Sequence, residues 1–300
     1  MFRALFDGRR AAGRDHKAGL RVERLDDRIV PATFLHDPVD KMVYVTGGRY
    51  DDFITVLHHG DGTLTVSDVV HVLDFSDVDG LVVSTDSGND VVRYTLDGPL
   101  VRGMGIDVYL GDGNDRFTGT LNRDLLGGPL DTDVYGQGGD DLITMYGTPT
   151  APSIANDHLT DGLAINTNGL RIAQGAVLGG HLSGGGGNDR IYEYYEGELN
   201  GVVHISMAGG AGEDNLGATV RVWSGSTGRV GSSTNPARMS GGEGSDGLWF
   251  YVFNNSGNSV DVNAEIDGGE DPWWWPYDTD TGSRTENVRH TGGIEEDYAF

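Results

Sequence analysis

The 300-residue chain contains no cysteine, only two lysines (Lys17 and Lys41) and only 9 prolines. Without cysteine, neither a disulfide nor a cysteine-bound zinc site can form. The low proline content is not typical of a proline-rich disordered protein. No run of 18 apolar residues is present, which excludes a hydrophobic membrane-spanning helix. The first 20 residues also lack the apolar segment of a cleaved secretory signal, so we expect any export to use another signal, unless the natural chain starts elsewhere.

Glycine and acidic residues are abundant instead. Glycine supplies 49 residues, and the 46 Asp and Glu residues outnumber the 21 Lys and Arg residues. Residues 1–32 carry a net charge of +3, whereas residues 33–300 carry −28. Such an acidic body would repel nucleic acid and anionic membranes, and it needs counterions to stay compact. We therefore expect no nucleic-acid partner. The acidity indicates either a merely soluble surface or a set of cation sites.

A nine-residue pattern recurs seven times along the chain. We call these segments units 1 to 7: GGRYDDFIT (47–55), TDSGNDVVR (85–93), LGDGNDRFT (110–118), GQGGDDLIT (136–144), GGGGNDRIY (184–192), GGAGEDNLG (209–217) and GGEGSDGLW (241–249). Self-similarity of this kind is typical of repeat architectures. A flexible linker would not keep apolar residues at fixed distances from an aspartate.

Five positions define the pattern. Position 6 is always aspartate, namely Asp52, Asp90, Asp115, Asp141, Asp189, Asp214 and Asp246. Position 8 and the residue two before each unit are always apolar, which predicts strands with inward-pointing residues on both sides of a turn. Position 4 is glycine in six of seven units, as expected for a tight turn. Position 5 is Asn or Asp in five units, which we expect to adopt a left-handed conformation.

The spacing of the aspartates predicts the fold. Successive position-6 residues are 38, 25, 26, 48, 25 and 32 residues apart. We predict an all-β, parallel β-solenoid of the β-helix or β-roll kind, with coils of about 25 residues and glycine-rich Asp turns stacked on one edge. The longest interval predicts an additional coil near residues 154–170. The predicted organisation is a basic arm at 1–32, disordered or for targeting, the solenoid at 33–271, and an aromatic cap and acidic tail at 272–300.

Stacked carboxylates about 5 Å apart require positive charge between them. Calcium fits, because it accepts six to eight oxygen ligands and mixes carboxylates with backbone carbonyls. The pattern G-G-x-G-x-D-x-apolar-x resembles the repeat of RTX, or haemolysin-type, calcium-binding proteins. Units 5, 6 and 7 match every fixed position, whereas units 1 to 4 are degenerate.

In that family, turn carbonyls and the position-6 aspartates of stacked turns hold each ion. The resemblance implies carboxylate ligands at Asp90, Asp115, Asp141, Asp189, Asp214 and Asp246. It implies carbonyl ligands at Gly111, Gly113, Gly136, Gly184, Gly185, Gly209, Gly210, Gly241 and Gly242. Asp52 is a weaker match because Tyr50 replaces a glycine. Family units often follow one another every nine residues, whereas single units recur here about every 25 residues, so we expect one column of ions.

The expected function is calcium binding that stabilises a secreted or cell-surface structural or adhesive protein, without enzymatic activity. Two alternatives stay open: a metal-free structural solenoid and a polysaccharide lyase or epimerase, for which His181 and His204 would have to stack on one face. Expected partners are calcium ions and an extracellular glycan or another surface protein.

The two ends of the chain bear on localisation. VERLDDRIVPAT (22–33) resembles a segment near the start of large bacterial surface proteins, and DYAF (297–300) is similar to the end of some type I secretion substrates. We therefore expect an extracellular or cell-surface protein, with type I secretion as the candidate route. The cluster PWWWPY (272–277) is expected to cap the core or to stack on sugars. Glu193 should point inward, since Ile191 does, and would then need a partner.

Overall fold

A computed structural model describes residues 31–147, 169–258 and 260–268, together with the backbone of two strands at 273–274 and 285–291. The described residues form strands and turns and no helix, so none of them belongs to a helix that could span a membrane. The basic arm up to residue 30 and most of the expected additional coil at 154–170 lie outside these residues. The side chains of Trp273 to Trp275 lie outside them as well.

The strands form two sheets. The first sheet contains β1 (Thr33–Asp37), β2 (Met42–Thr46), β6 (Gly80–Ser84), β8 (Met104–Asp112), β10 (Pro129–Gly138), β13 (Val177–Gly186), β15 (Val202–Val203), β16 (Ser206–Ala211), β18 (Arg229–Val230), β19 (Ala237–Glu243), β21 (Asp261–Asp267) and β23 (Thr285–Thr291). The second contains β3 (Phe53–His58), β4 (Leu64–Ser67), β5 (Val72–Phe75), β7 (Val91–Leu96), β9 (Arg116–Leu121), β11 (Leu142–Gly147), β12 (Leu170–Ile172), β14 (Arg190–Leu199), β17 (Asn215–Val222), β20 (Gly247–Asn254) and β22 (Trp273–Trp274).

Most neighbouring strands are parallel, and their register follows the spacing of the units. Val108 pairs with Val134 across β8 and β10, and Leu182 pairs with Met207 across β13 and β16. Each unit begins near the end of a strand in the first sheet and continues into a strand of the second. The predicted all-β class with parallel sheets is therefore confirmed.

The additional coil expected in the 48-residue interval is not inserted between units 4 and 5. Strand β10 pairs directly with β13, and β11 pairs directly with β14. Asp141 and Asp189 therefore occupy neighbouring units despite the long interval. Equal spacing was a poor guide here, because the one described strand within the interval, β12, pairs with the end of β14 beyond β11 and does not separate β11 from β14.

At the end of the fold that contains β1, both sheets finish with antiparallel strands. Strand β1 pairs antiparallel with β2, and β4 and β5 add to β3 in the same manner. The extra residues of the first, 38-residue interval include this β4–β5 hairpin. At the other end, β22 pairs with β20 and β23 pairs with β21, so strands continue into the range expected to be a cap and tail.

The core contains the residues that the pattern predicts to point inward. All seven residues at position 8 are at most 2% exposed: Ile54, Val92, Phe117, Ile143, Ile191, Leu216 and Leu248. The residues two before each unit are equally buried: Val45, Val83, Val108, Val134, Leu182, Met207 and Met239. Because the inward-pointing residues of both sheets form one hydrophobic cluster, the hydrophobic effect holds the two sheets together.

Glu193 is buried in this core, as its place in the pattern predicts. It is 4% exposed, and its partner is the hydroxyl of Tyr195, two residues further along β14. Its Oε2 atom accepts no hydrogen bond. Burial raises the pKa of Glu193 to about 8, although the Tyr195 hydroxyl acts in the opposite direction. The side chain is therefore a carboxylic acid in the folded state near neutral pH.

We expect Glu193→Gln to stabilise the protein increasingly as the pH rises. The folded chain keeps the Glu193 proton up to about pH 8, whereas the unfolded chain loses it near 4.5, so this group costs stability between these values. The cost grows by about 1.4 kcal/mol per pH unit. Urea unfolding of both proteins from pH 5 to 9 measures the difference. The exposed Glu265, paired with Arg238, provides the control Glu265→Gln, for which the difference should stay nearly constant.

Candidate functional site

The position-6 aspartates form a continuous hydrogen-bonded ladder. The backbone N–H of each aspartate donates to Oδ1 of the aspartate in the next unit, at 2.6–2.9 Å. The ladder runs from Asp52 through Asp90, Asp115, Asp141, Asp189 and Asp214 to Asp246. It continues across the 48-residue interval, where the Asp141 N–H donates to Asp189. All six predicted carboxylate ligands are therefore brought together in one column.

The second carboxylate oxygen has no partner in this column. Each of the six aspartates from Asp90 to Asp246 is at most 2% exposed. Their Oδ2 atoms are buried and make no hydrogen bond: Asp90, Asp115, Asp141, Asp189, Asp214 and Asp246. A buried, unpaired carboxylate oxygen costs free energy unless a proton or a cation accompanies it.

Burial accordingly raises the pKa of these carboxyl groups. It raises the pKa of Asp141 to about 8, with added repulsion from Asp189 and Asp115. It raises the pKa of Asp189 and Asp214 to about 6. In each group, burial outweighs the hydrogen bond from a neighbouring backbone N–H, which acts to lower the pKa. Near neutral pH the column therefore favours the binding of positive charge.

Glycine at position 1 lets Oδ2 of the aspartate lie against the backbone in units 4 to 7, and Gly47 does the same for Asp52 in unit 1. A Cβ on Gly136 would overlap Oδ2 of Asp141 and the carbonyl oxygen of Gly184. A Cβ on Gly209 would overlap Oδ2 of Asp214 and the carbonyl oxygen of Gly241. At Gly184 and Gly241, the Cβ would overlap the carboxylate of Asp189 or Asp246. We call these four places the glycine cradles.

The other glycines of the predicted ligand set have a different role. A Cβ on Gly113 would overlap the carbonyl oxygen of Gly88 in the preceding unit, and Gly113 has a φ of 154°. Position-2 glycines also lie against the preceding unit: Gly111, Gly185, Gly210 and Gly242. Positive φ therefore falls at positions 2 and 4. These glycines allow the turns to stack closely, and only those at position 1 face the aspartate carboxylates.

Position 5 carries a second ladder that the sequence analysis did not predict. The Asn114 N–H donates to Oδ1 of Asn89, and the Asp140 N–H donates to Oδ1 of Asn114. The same contact joins Asp51 to Asn89, Asp140 to Asn188 and Asn188 to Glu213. These side chains are exposed, and the ladder runs opposite to the aspartate ladder. The expectation of left-handed backbone at position 5 was wrong, because the residues at positions 2 and 4 adopt the positive φ that reverses the chain.

The described residues contain no group of three or more His, Asp or Glu side chains that could hold a metal ion on their own. A cation in the column would therefore need backbone carbonyl oxygens as well as carboxylates. The cradles of Gly136 and Gly209 bring together one oxygen of each kind. These are hard oxygen donors of the type that calcium accepts, so the residues present fit the ion.

The two histidines considered for catalysis do not stack. His181 lies opposite Ser206, with Nδ1 2.8 Å from Oγ, because Leu182 pairs with Met207. His204 lies beside Gly179 instead, two residues away in register. The separation of 23 residues differs from the local repeat of 25, and this difference places the two rings in different rows.

Comparisons with known proteins found no matching family model, no matching curated protein and no matching solved structure. The case for a function therefore rests on the geometry of the turns and on the chemistry of the aspartate column.

Proposed function

We propose that the protein is a calcium-binding structural protein whose chain winds as a parallel β-solenoid. In this proposal, each stretch of chain from one unit to the next is a coil, and the aspartate ladder marks the edge where the coils stack. The observation that carries the proposal is the column of six buried carboxylates whose Oδ2 atoms have no partner. The resemblance of units 5, 6 and 7 to RTX repeats supports the same ion.

Calcium suits this column better than a basic side chain does. The chain has only two lysines, and Lys41, the one within the described residues, pairs with Asp77 on the surface. The carboxylates are buried between turns, where a flexible site built of carbonyl and carboxylate oxygens suits calcium better than the strict octahedron of magnesium. Asp90, Asp115, Asp141, Asp189, Asp214 and Asp246 are the candidate carboxylate ligands.

The role of the ion would be structural. Without it, the column carries repulsion between neighbouring carboxylates; with it, the same oxygens hold adjacent coils together. We further propose that the protein works outside the cell or at its surface, where calcium is abundant, with a glycan or another surface protein as its partner. The low cytosolic calcium concentration would leave the coils loose before export.

Thermal unfolding with and without calcium tests this function. After exhaustive treatment with EGTA at pH 7.5, adding millimolar calcium should raise the melting temperature by roughly 5 to 10 °C or more and strengthen the β-sheet circular dichroism. An equal concentration of magnesium should have a much smaller effect, which separates specific binding from charge screening. If neither the spectrum nor the melting temperature responds to calcium, the proposal is wrong, and the metal-free solenoid becomes the better account.

A further inference from the structure

Units 1 to 3 differ from units 4 to 7 in the groups that surround the carboxylate, although Oδ2 of Asp90 and of Asp115 is buried and unpartnered as in units 4 to 7. In unit 1, Oδ2 of Asp52 already accepts the N–H of Gly48 at 2.7 Å. In unit 2, position 1 is Thr85, whose hydroxyl donates to the carbonyl oxygen of Leu110 at 2.5 Å. That carbonyl is the counterpart of the Gly184 carbonyl that faces the cradle of Gly136. In each of these two turns, an oxygen needed for a cation is already engaged by a donor from the protein.

Unit 3 closes the same space with an apolar side chain. Leu110 occupies position 1, is fully buried and belongs to the hydrophobic core. Its Cβ fills the place that stays open in a glycine cradle. Asp115 therefore lies in the ladder without an open space for an ion next to position 1.

Units 4 to 7 have glycine at position 1, and in each of them the carboxylate accepts a backbone N–H on Oδ1 only. Oδ2 of Asp141, Asp189, Asp214 and Asp246 is buried and unpartnered. At Gly136 and Gly209, the carbonyl oxygen of the next unit lies against the same space. Oδ2 of Asp141 and Oδ2 of Asp214 therefore each lie close to a carbonyl oxygen, and such a pair of hard oxygen atoms can bind a cation.

We propose that the cation sites are confined to the glycine cradles of units 4 to 7, and that the part of the chain from residue 33 to 121 folds without calcium. This inference rests on the proposed calcium function and narrows it, since Asp90 and Asp115 are then ladder residues without ions. The protein would consist of a calcium-independent base, residues 33–121, and a calcium-dependent extension that contains units 4 to 7. Because each coil contacts only its neighbours, the extension can open while the base stays folded.

The arrangement near residue 33 supports an independent base. The antiparallel strands β1, β4 and β5 cover the edges of β2 and β3, so both sheets begin at paired strands. The largest fully buried side chains, Tyr94 and Phe117, lie in this part of the core. His58 is also buried here and pairs with the Tyr94 hydroxyl at 2.7 Å. Apolar contacts and the His58–Tyr94 pair thus help to hold together these coils, which also contain the buried carboxyl groups of Asp90 and Asp115.

Hydrogen–deuterium exchange on the full chain tests the division. In EGTA, amides of β11, β14, β17 and β20 should exchange at least about tenfold faster than in 5 mM calcium, whereas amides of β3, β7 and β9 should change less than about twofold. Equal loss of protection in both parts would overturn the division and leave the calcium function standing. No change in either part would show instead that the calcium function itself is wrong.

A substitution in unit 2 gives a second, independent measurement. Thr85→Gly removes the hydroxyl that engages the Leu110 carbonyl and opens a cradle beside Asp90. The variant should gain calcium-dependent protection in β7, which the native chain lacks. Gly105→Ala on β8 is the control, because no other part of the chain lies within 4 Å of its Cβ position. This substitution should leave exchange in β7 unaltered. If amide exchange in β7 of Thr85→Gly does not change with calcium although the variant folds, the residue at position 1 does not decide which units bind a cation.

Discussion

Replacing Asp141 by alanine is expected to destabilise the protein by about 1–3 kcal/mol more than replacing it by asparagine. Both changes remove the carboxyl group, but only asparagine keeps an Oδ1 acceptor for the N–H of Asp115, which donates to Asp141 at 2.8 Å. Alanine leaves that buried N–H without a partner. Asparagine also places an N–H group near the carbonyl of Gly184, where the native carboxylate has only an acceptor. Urea unfolding at pH 7.5 in EGTA measures the difference.

Calcium should reverse the order of stability of the native protein and the Asp141→Asn variant. In EGTA, the variant should be at least as stable as the native protein, because it lacks a buried carboxyl group whose raised pKa costs stability at this pH. In millimolar calcium, the native protein should be the more stable one, because the variant has lost a ligand. If alanine and asparagine are equivalent, the ladder contributes nothing. If Asp141→Asn gains as much from calcium as the native chain does, Asp141 is not a ligand.

Gly187→Ala should destabilise the protein by about 3 kcal/mol or more, or prevent folding. Gly187 has a φ of 131°, which side-chain-bearing residues rarely adopt, and a Cβ there would overlap the carbonyl of Gly139 in the preceding unit. The overlapping atoms are backbone atoms of Gly139 and Asp140, which no side-chain rotation can move aside. Equilibrium unfolding in millimolar calcium gives the free energy, and circular dichroism reports whether the variant folds.

The same substitution at Gly105 provides the control. Gly105 lies within β8, and no atom lies within 4 Å of the place its Cβ would occupy. Alanine at this position should leave the free energy of unfolding unchanged or raise it by up to about 1 kcal/mol, because glycine loses more backbone entropy on folding. Equal costs at Gly105 and Gly187 would contradict the close stacking of the turns.

The sequence predicted much of the fold because two constraints repeat together. Apolar residues two before each unit and at position 8 must both point inward, and this fixes the face and register of the strands on either side of a turn. Asp at position 6 then identifies which residues stack. Both groups of apolar residues are buried, and the aspartates are adjacent in space, as predicted. The same reasoning placed Glu193 inside, where Tyr195 is its partner.

The remaining features depend on contacts between units that a single unit does not reveal. The position-5 ladder was missed because Asn and Asp suit both a left-handed turn and a hydrogen bond to a neighbouring backbone. The direct pairing of β10 with β13 was missed because chain length between strands does not show whether a strand is added. Thr85 and Leu110 replace the glycine at position 1 of units 2 and 3, and the sequence alone assigned them no role. In the structure, the Thr85 hydroxyl donates to the Leu110 carbonyl, and the Leu110 side chain is buried beside Asp115.

Calorimetric titration of the EGTA-treated and dialysed protein with calcium tests the central claim most directly. The account predicts saturable binding of several calcium ions at pH 7.5, with Asp189→Asn reducing the number bound although its Oδ1 atom can still accept the N–H of Asp141. Heat no greater than that of dilution, or binding unchanged in Asp189→Asn, would contradict the assignment of calcium to the aspartate column.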